Sequence, residues 1–394
     1  MMLTGDKGIL QRAAEAKENT EQSQLEEQRR LASMEAATNL TQTVYNDGEK
    51  EIKIPSGFAP TGIEGENTVE EGLVITDSKG NEFVWVEVPK NTNVYQTAGM
   101  DVNFSDENNY IKIAKDLAVY SGTTLSNNPT SLADHLPQAD KVGKDYTNEY
   151  KDVLKSIYQN GGFWVGRYET GIQGTENATT SARVGTDVII EYPTEGDVAV
   201  IKENVQPYTW TRWSQAIDLA QEILPTSNGI NHTNLLMGVQ WDLVLKFIGK
   251  EKNADTNSSD WGNCRDSVFS LKKGSLYTIM SNGILSTTWK SYDEDEIGFV
   301  ESSVKKSQSS DGNGILYTTG ANITENSIKN ISDIAGNVWE WTIEQLSIDY
   351  PCSNRGGYLN RTGSYLPAYR HGGSTIRGSY GNGRFSRYTV LKWS

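Results

Sequence analysis

The side chains best suited to chemistry are few. Two cysteines, Cys264 and Cys352, stand far apart, and the histidines are His135, His232 and His371. The cysteines have neither C-x-x-C spacing nor a neighbouring histidine pair, which argues against a zinc site. The histidines show neither H-E-x-x-H nor H-x-x-x-H spacing, so metal-hydrolase and non-haem iron chemistry lack ligands. One disulfide between the cysteines and two buried thiols would look the same in sequence. The stretch Asp333-Ile-Ala-Gly-Asn-Val-Trp-Glu-Trp-Thr342 is more distinctive. Trp339 and Trp341 alternate about Glu340, which puts both indoles on one face of a strand and Glu340 on the other. Gly336-Asn337 reads as a tight turn. Paired indoles usually mean core packing, so the motif reads as scaffold.

The C-terminal tail has a different chemistry. Residues Arg355 to Ser394 contain no Asp or Glu, but six Arg and one Lys; the rest of the chain carries a net −22 and the whole a formal −15. Five Tyr, five Ser and eight Gly fill much of the tail, the composition of a contact surface in which Tyr and Arg anchor and Ser and Gly adapt. A twisted terminal hairpin would share this composition. Nucleic-acid binding is disfavoured, because only one lysine accompanies the arginines and an acidic chain repels phosphate at long range.

Elements must hold these residues in place. From Gly8 to about Leu40 strong helix formers dominate, with sparse apolar positions, which predicts a solvated helix or partly ordered tail. Residues 45–70 carry Asn-Asp-Gly, Pro-Ser-Gly and Pro-Thr-Gly turn signals and read as a linker. Strands flanking a turn at Gly80 are predicted over Gly72–Thr76 and Glu82–Val88, and another over Phe163–Glu169. Helices are predicted over Gln215–Leu224, capped by Ser214, and Val239–Ile248. Residues 95–150 and 250–330 give no clear pattern. No apolar run reaches the length of a membrane span.

The Asp333–Thr342 motif followed by Arg355-Gly-Gly357 resembles the hallmark of formylglycine-generating-enzyme-like domains. Gly162-Phe-Trp-Val-Gly-Arg-Tyr-Glu169, Trp210 to Leu224 and Leu235-Leu-Met-Gly-Val-Gln-Trp-Asp242 resemble the family's opening strand, first helix and second helix start, with Met237 and Gly238 departing from the pattern. The likeness spans roughly residues 70–394. It implies an α+β, C-type-lectin-like fold with many short strands and two main helices over 71–394, preceded by an N-terminal helix. It also implies a calcium site at Asp333, Gly336, Val338 and Glu340, through two carboxylates and two backbone carbonyls, a ligand set that suits calcium. No cofactor is required. The family's enzymes bind copper through two cysteines shortly after Arg-Gly-Gly, thiolates being the ligands copper(I) prefers. Arg361 and Leu366 stand at those positions, and the iron-binding histidine cluster of a related oxidase branch has no counterpart. The implied activity is therefore binding, not catalysis.

Residues 1–44 resemble the stretch that follows the membrane helix in type IV pilin-like proteins of Gram-positive bacteria. There an apolar helix of about 20 residues precedes a Leu-Thr-Gly stretch like Leu3-Thr4-Gly5. Met1 stands in its place, which predicts a form trimmed for solubility, with membrane attachment only through that missing helix. The implied location is the cell surface or the extracellular space, in association with a pilus, with other pilin subunits as partners of the helix.

Between Arg355 and Leu391 there is no Lys, Glu, Gln, Met or Trp. Variable proteins of diversity-generating retroelements, which the chain also resembles, randomise adenines of a template, so that AAY codons never yield those five residues. This implies a variable region over 355–391, with candidate ligand-binding positions Tyr358, Leu359, Asn360, Thr362, Tyr365, Leu366, His371, Thr375, Ile376, Arg377, Tyr380 and Arg384. Tyr358, Tyr365, His371, Arg377 and Tyr380 are expected to be exposed on one face. The leading expectation is a surface-displayed binder of a protein or glycan, with no nucleic-acid partner. A pilin-linked structural domain of the same fold comes second, and a copper oxygenase third.

Overall fold

The computed structural model describes residues 5–122, 131–173, 198–208, 211, 213–224, 231–250, 257–267, 270–281, 284–286, 288–292, 314–322, 327–373, 384–385 and 390–393. It is a mixed α+β structure of several small, mostly antiparallel sheets and few helices. The chain divides into two compact units, Met1–Glu82 and Phe83–Ser394. No helix among the described residues is long and apolar enough to cross a membrane.

In the first unit, α1 (Gly5–Thr38) is one continuous helix, as expected of a segment rich in helix formers and without proline. Its described residues before Arg29 are exposed. Ala32 and Ala36 are buried; one turn apart on the same face, they let the helix lie close on β3 (Phe58–Pro60) and β4 (Val74–Asp77). β1 (Thr43–Asn46) and β2 (Glu51–Ile54) form a hairpin, closed by Asp47 Oδ1 accepting from Glu49 and Lys50 N–H. The Arg29 guanidinium donates to Glu66 at 3.1 Å and to Glu82, and Thr61 Oγ1 donates to Glu66 at 2.6 Å. Beyond the helix, Asn39 donates its side-chain amide to Phe58 O, and its own carbonyl accepts from Gly57 N–H. The expected linker at 45–70 is thus corrected. Ile52, Ile54 and Phe58 bury themselves here, and the turn signals connect strands of a folded unit.

In the second unit the strands used below are β5 (Glu82–Glu87), β6 (Gly162–Gly166), β7 (Asn231–His232), β8 (Trp339–Thr342), β9 (Cys352–Arg355), β10 (His371–Gly373), β11 (Arg384–Phe385) and β12 (Val390–Trp393). One sheet runs β7-β12-β6-β5 and another β10-β9-β8-β11. The first sets β5 and β12, the opening and closing strands of this unit, on either side of β6, with Val84↔Val165 and Val390↔Val165 in register. In the second, β8 pairs antiparallel with β9 and parallel with β11.

Helices α2 (Glu107–Tyr120), α3 (Ala139–Val142), α4 (Thr147–Asn160), α5 (Trp213–Ile223) and α6 (Gly238–Phe247) complete the unit. Both predicted helices are present. However, α5 begins at Trp213, so Ser214 lies inside the helix instead of capping it. Two 14-residue helices, α2 and α4, fall where no pattern was read, so two main helices was an undercount. Each shows one apolar stripe, Ile113, Ala114 and Leu117 in α2 and Tyr150, Leu154, Ile157 and Tyr158 in α4, which is the spacing of a helix face turned to a core.

Candidate functional site

The Asp333–Thr342 stretch is scaffold, as its indoles suggest. All of β8 is buried, so Glu340 is enclosed on its face as completely as the tryptophans on theirs. Trp341 Nε1 donates to Thr211 O at 3.1 Å, and Trp213 Nε1 to Thr342 O at 2.9 Å. Gly336 and Asn337 both have positive φ, 76° and 51°, the backbone of a tight turn. A β-carbon at Gly336 would come within 2.1 Å of Asn263 O, so the position admits only glycine. Asn337 is the hub of the turn. Its Nδ2 donates to Glu169 and to Tyr317 O, while Oδ1 accepts from Asn263 Nδ2 at 2.8 Å and Tyr317 N–H at 3.3 Å.

The calcium candidates all lie in this buried stretch. Asp333 Oδ2 accepts from Gly320 N–H at 2.7 Å. A β-carbon at Gly356 would lie 3.7 Å from Glu340 Oε1 and 3.4 Å from Ile334 O. Both carboxylates are fully enclosed, and oxygen donors are the chemistry calcium takes; on that chemistry alone Asp333 and Glu340 would be the side chains to hold it, with the carbonyls of Gly336 and Val338.

Arg355, in the Arg-Gly-Gly motif, is fully buried and bridges three elements. Its Nε and Nη2 donate to Glu344 at 2.6 and 3.0 Å, and its Nη1 to Asp242 of α6 at 3.1 Å. Arg370 spans the same two carboxylates, reaching Asp242 Oδ2 at 3.2 Å and Glu344 Oε2 at 2.5 Å. Burial alone would push the Glu344 carboxyl up; the guanidinium of Arg355, then that of Arg370, overrides it and holds the group well below the usual carboxylate range. Gly238 opens α6 against this pair, since a β-carbon there would meet Glu344 Oε2 at 2.3 Å. The network was not read from sequence, because its four members come from distant segments.

The network carries the loop 356–370, and that loop is tied down by its backbone. Leu359 N–H donates to Asn337 O at 3.1 Å, and Arg265 N–H to Arg361 O at 2.8 Å. Gly363 N–H donates to Asp266 Oδ1 at 2.9 Å, and Gly363 O accepts from Ser258 Oγ at 2.9 Å. Trp241 Nε1 donates to Pro367 O at 2.9 Å, and Arg355 Nη1 to Ala368 O at 2.8 Å. Every outside partner in these bonds lies before residue 356. Trp241, Ser258 and Asp266 were missed in sequence, where they look like ordinary helix and turn residues.

The loop's side chains divide in two. Tyr358, Leu359 and Leu366 are buried, which corrects the expectation of an exposed Tyr358. Tyr358 and Leu359 complete a cluster with Leu316, Val338 and Trp339, where the turn at Asn337 draws the chain inward. Arg361 and Ser364 are exposed, and Asn360, Thr362, Tyr365, Tyr369 and His371 are half-buried. His371 sits 4.3 Å from the Trp339 ring and stacks on Tyr365 at 5.4 Å, and the Arg361 guanidinium lies 5.0 Å over Tyr365. Tyr365 and His371 are in contact, but both are half-buried where exposure was expected, because His371 packs on Trp339 as well as on Tyr365. Arg361, placed in sequence only at a copper position, is the cation over that stack; its place in an acid-free tail was the available signal. The strand β11 contains Arg384, which pairs by its backbone with Trp339. Thr375, Ile376, Arg377 and Tyr380 lie outside the described residues.

The two cysteines are buried and form no disulfide. Cys264 Sγ lies 3.6 Å from Ser258 Oγ, and burial pushes the Cys352 thiol up to about 12, which keeps it protonated and a poor metal ligand. No protein-family model matches the chain, and no curated protein matches it.

Proposed function

We propose that the chain is a surface-displayed ligand-binding protein of the formylglycine-generating-enzyme-like, C-type-lectin-like type, diversified in its tail by a retroelement. The observation that carries this reading is the loop 356–370, whose backbone is bonded to groups that precede it. Asn337, Trp241, Ser258, Asp266 and Arg355 hold its peptide groups. The outward side chains can then change while the backbone stays, which is what a rigid frame presenting a replaceable contact surface requires. The contact set on this reading is Asn360, Arg361, Thr362, Tyr365 and His371, with Thr375, Ile376, Arg377, Tyr380 and Arg384 as further candidates. Tyr358, Leu359 and Leu366 are reassigned to the frame.

A binding role in place of catalysis is supported by the residues at the family's copper positions. Arg361 cannot supply a soft ligand and Leu366 is buried, while Cys352 precedes the motif as a protonated thiol. The pilin-like helix is proposed to display the second unit or join it to like subunits.

Two measurements test the reading. Substituting Asn360, Thr362 and Ser364 with Tyr, Ser, Arg or Gly will leave the melting temperature within about 1 °C, as surface changes do; losses of several degrees would mean that the loop's side chains hold its shape. A near-copy of the tail's coding sequence beside a reverse transcriptase, differing only at adenines, is the expected genomic signature; without it the chain is a pilin-linked domain with a fixed surface. For the calcium set, saturating calcium will raise the melting temperature by about 5 °C over an EDTA-treated sample. Equal midpoints would reduce Asp333 and Glu340 to hydrogen-bonding residues.

A further inference from the structure

A cavity in the second unit is lined by none of the side chains assigned above to ligand contact. Helices α2 and α4, the turn 132–136 and the start of α6 surround it, and Asp242, Glu344 and Arg370 of the ion network form part of its wall. It measures about 440 Å³ with the solvent at its mouth counted, while its enclosed end has room for about one or two water molecules. A ligand therefore enters by a short head and leaves the remainder at the mouth. Ala114, Ala118, Leu136, Val239 and Ile343 make the rest of the wall largely aliphatic.

The polar groups on this wall differ in what they have left to bond. Glu344 is saturated, accepting from Thr342 Oγ1, from Arg355 twice and from Arg370. Ser121 donates its hydroxyl to Ala118 O. Asp242 is only half used: one oxygen accepts from Arg355 and the other from Arg370, so each can accept once more. Arg370 donates through Nε and Nη2 alone, which leaves both N–H groups of Nη1. The Tyr150 side chain is buried, and its hydroxyl makes no hydrogen bond among the described residues. Burial and then the Asp242 carboxylate push that phenol up, while Arg370 acts the other way, so the hydroxyl lies in the field of both groups.

The charges choose the ligand. Two guanidiniums and two carboxylates cancel within the network, so neither a bare cation nor a bare anion gains by entering it. The unused edges of Asp242 and Arg370 adjoin, because Asp242 Oδ2 and Arg370 Nη2 are 3.2 Å apart. An ammonium and a carboxylate on one carbon match that pair. The Arg370 side chain is 14% exposed and that of Asp242 6%, which puts the ammonium inward and the carboxylate towards the mouth. We infer that the cavity is a second binding site, for a free α-amino acid with a short aliphatic side chain. Its ammonium is bonded by Asp242 and Tyr150, its carboxylate by Arg370 Nη1, and its side chain gains by burial on the aliphatic wall. The site goes beyond the loop reading and stands or falls without it.

The test is isothermal titration calorimetry on the intact chain near neutral pH, with L-alanine and L-valine. At least one will bind with a Kd below about 1 mM. L-alaninamide, which lacks the carboxylate, and L-lactate, which lacks the ammonium, will bind at least about tenfold more weakly. Ala118→Leu, which fills the cavity, and Tyr150→Phe will each weaken amino-acid binding by about tenfold or more, with melting curves showing that the fold is kept. The ligand series needs no substitution, so it decides the matter even where a variant fails to fold. Alaninamide or lactate binding as tightly as alanine would overturn the two-charge recognition. Binding that survives Ala118→Leu in a folded chain would place the site elsewhere and overturn the assignment. No heat from any of these ligands would make the cavity a water-filled niche only and overturn the inference.

Discussion

Replacing Arg355 with methionine will cost the second unit about 3–5 kcal/mol, seen as a fall in melting temperature of roughly 6–10 °C. The guanidinium is fully enclosed, with Asp242 and Glu344 on one side and Ala368 O on another. Methionine fills similar space but leaves two buried carboxylates to Arg370 alone. Arg370 lies at the edge of the network and retains 14% side-chain exposure. A buried ion pair adds little over well-packed apolar groups, but losing one partner strands the other. Removing the four charges together, as Asp242→Leu, Glu344→Leu, Arg355→Met and Arg370→Met, will therefore recover part of the loss. A drop below about 2 °C for Arg355→Met alone would mean that water reaches the carboxylates.

The same network sets an acid limit. Glu344 is held below its ordinary range in the folded chain, so the unfolded chain takes up its proton first as pH falls. Its contribution to stability is complete above the ordinary carboxylate range and drains away below it, towards the folded value. Urea midpoints followed from neutral to acidic pH will fall more steeply for the native chain than for Glu344→Gln. Parallel curves would assign acid sensitivity to other carboxyls.

Asn337→Asp will destabilise the fold by about 3 kcal/mol, although it changes only an amide to a carboxylate. Asparagine and aspartate both tolerate the positive φ found there, so the backbone is not the cause. The lost amide is a double donor, to Glu169 and to Tyr317 O. Aspartate would face those acceptors with another acceptor and set a second negative charge against Glu169. Two carboxylates in one enclosed site hold a shared proton, which raises the folded-state value of one of them. The penalty will thus be small at acidic pH and grow as pH rises. A penalty independent of pH would show that the charges are not in contact.

These residues also show what the sequence made legible. The Gly336-Asn337 turn and the two flanking tryptophans could be read directly, because a local conformation demanded glycine and indoles demanded cover. The helices α5 and α6 carry dense apolar faces and were equally plain. The helices α2 and α4 were missed because their apolar stripes are thin and their other faces polar, so that composition outweighed period. The burial of Tyr358, Leu359 and Leu366 could not be read at all. An irregular loop has no period that says which side faces inward; here Asn337 O takes the Leu359 N–H, and Gly314, where a β-carbon would meet Leu359 Cδ1 at 2.4 Å, leaves room for that side chain. Likewise Asp242, Glu344, Arg355 and Arg370 meet only through topology.

The clamp on α1 has a mechanical consequence. Arg29 grips Glu66 and Glu82, Ala32 and Ala36 lie against the strands, and Asn39 is tied to Phe58 and Gly57. From Arg29 to Asn39 these attachments spread over about 15 Å of helix. A pull along the helix axis would strain them all at once, in shear, whereas a sideways tug would break them in turn like a zip. The attachments of the first unit therefore resist a pull along its N-terminal helix better than a pull across it.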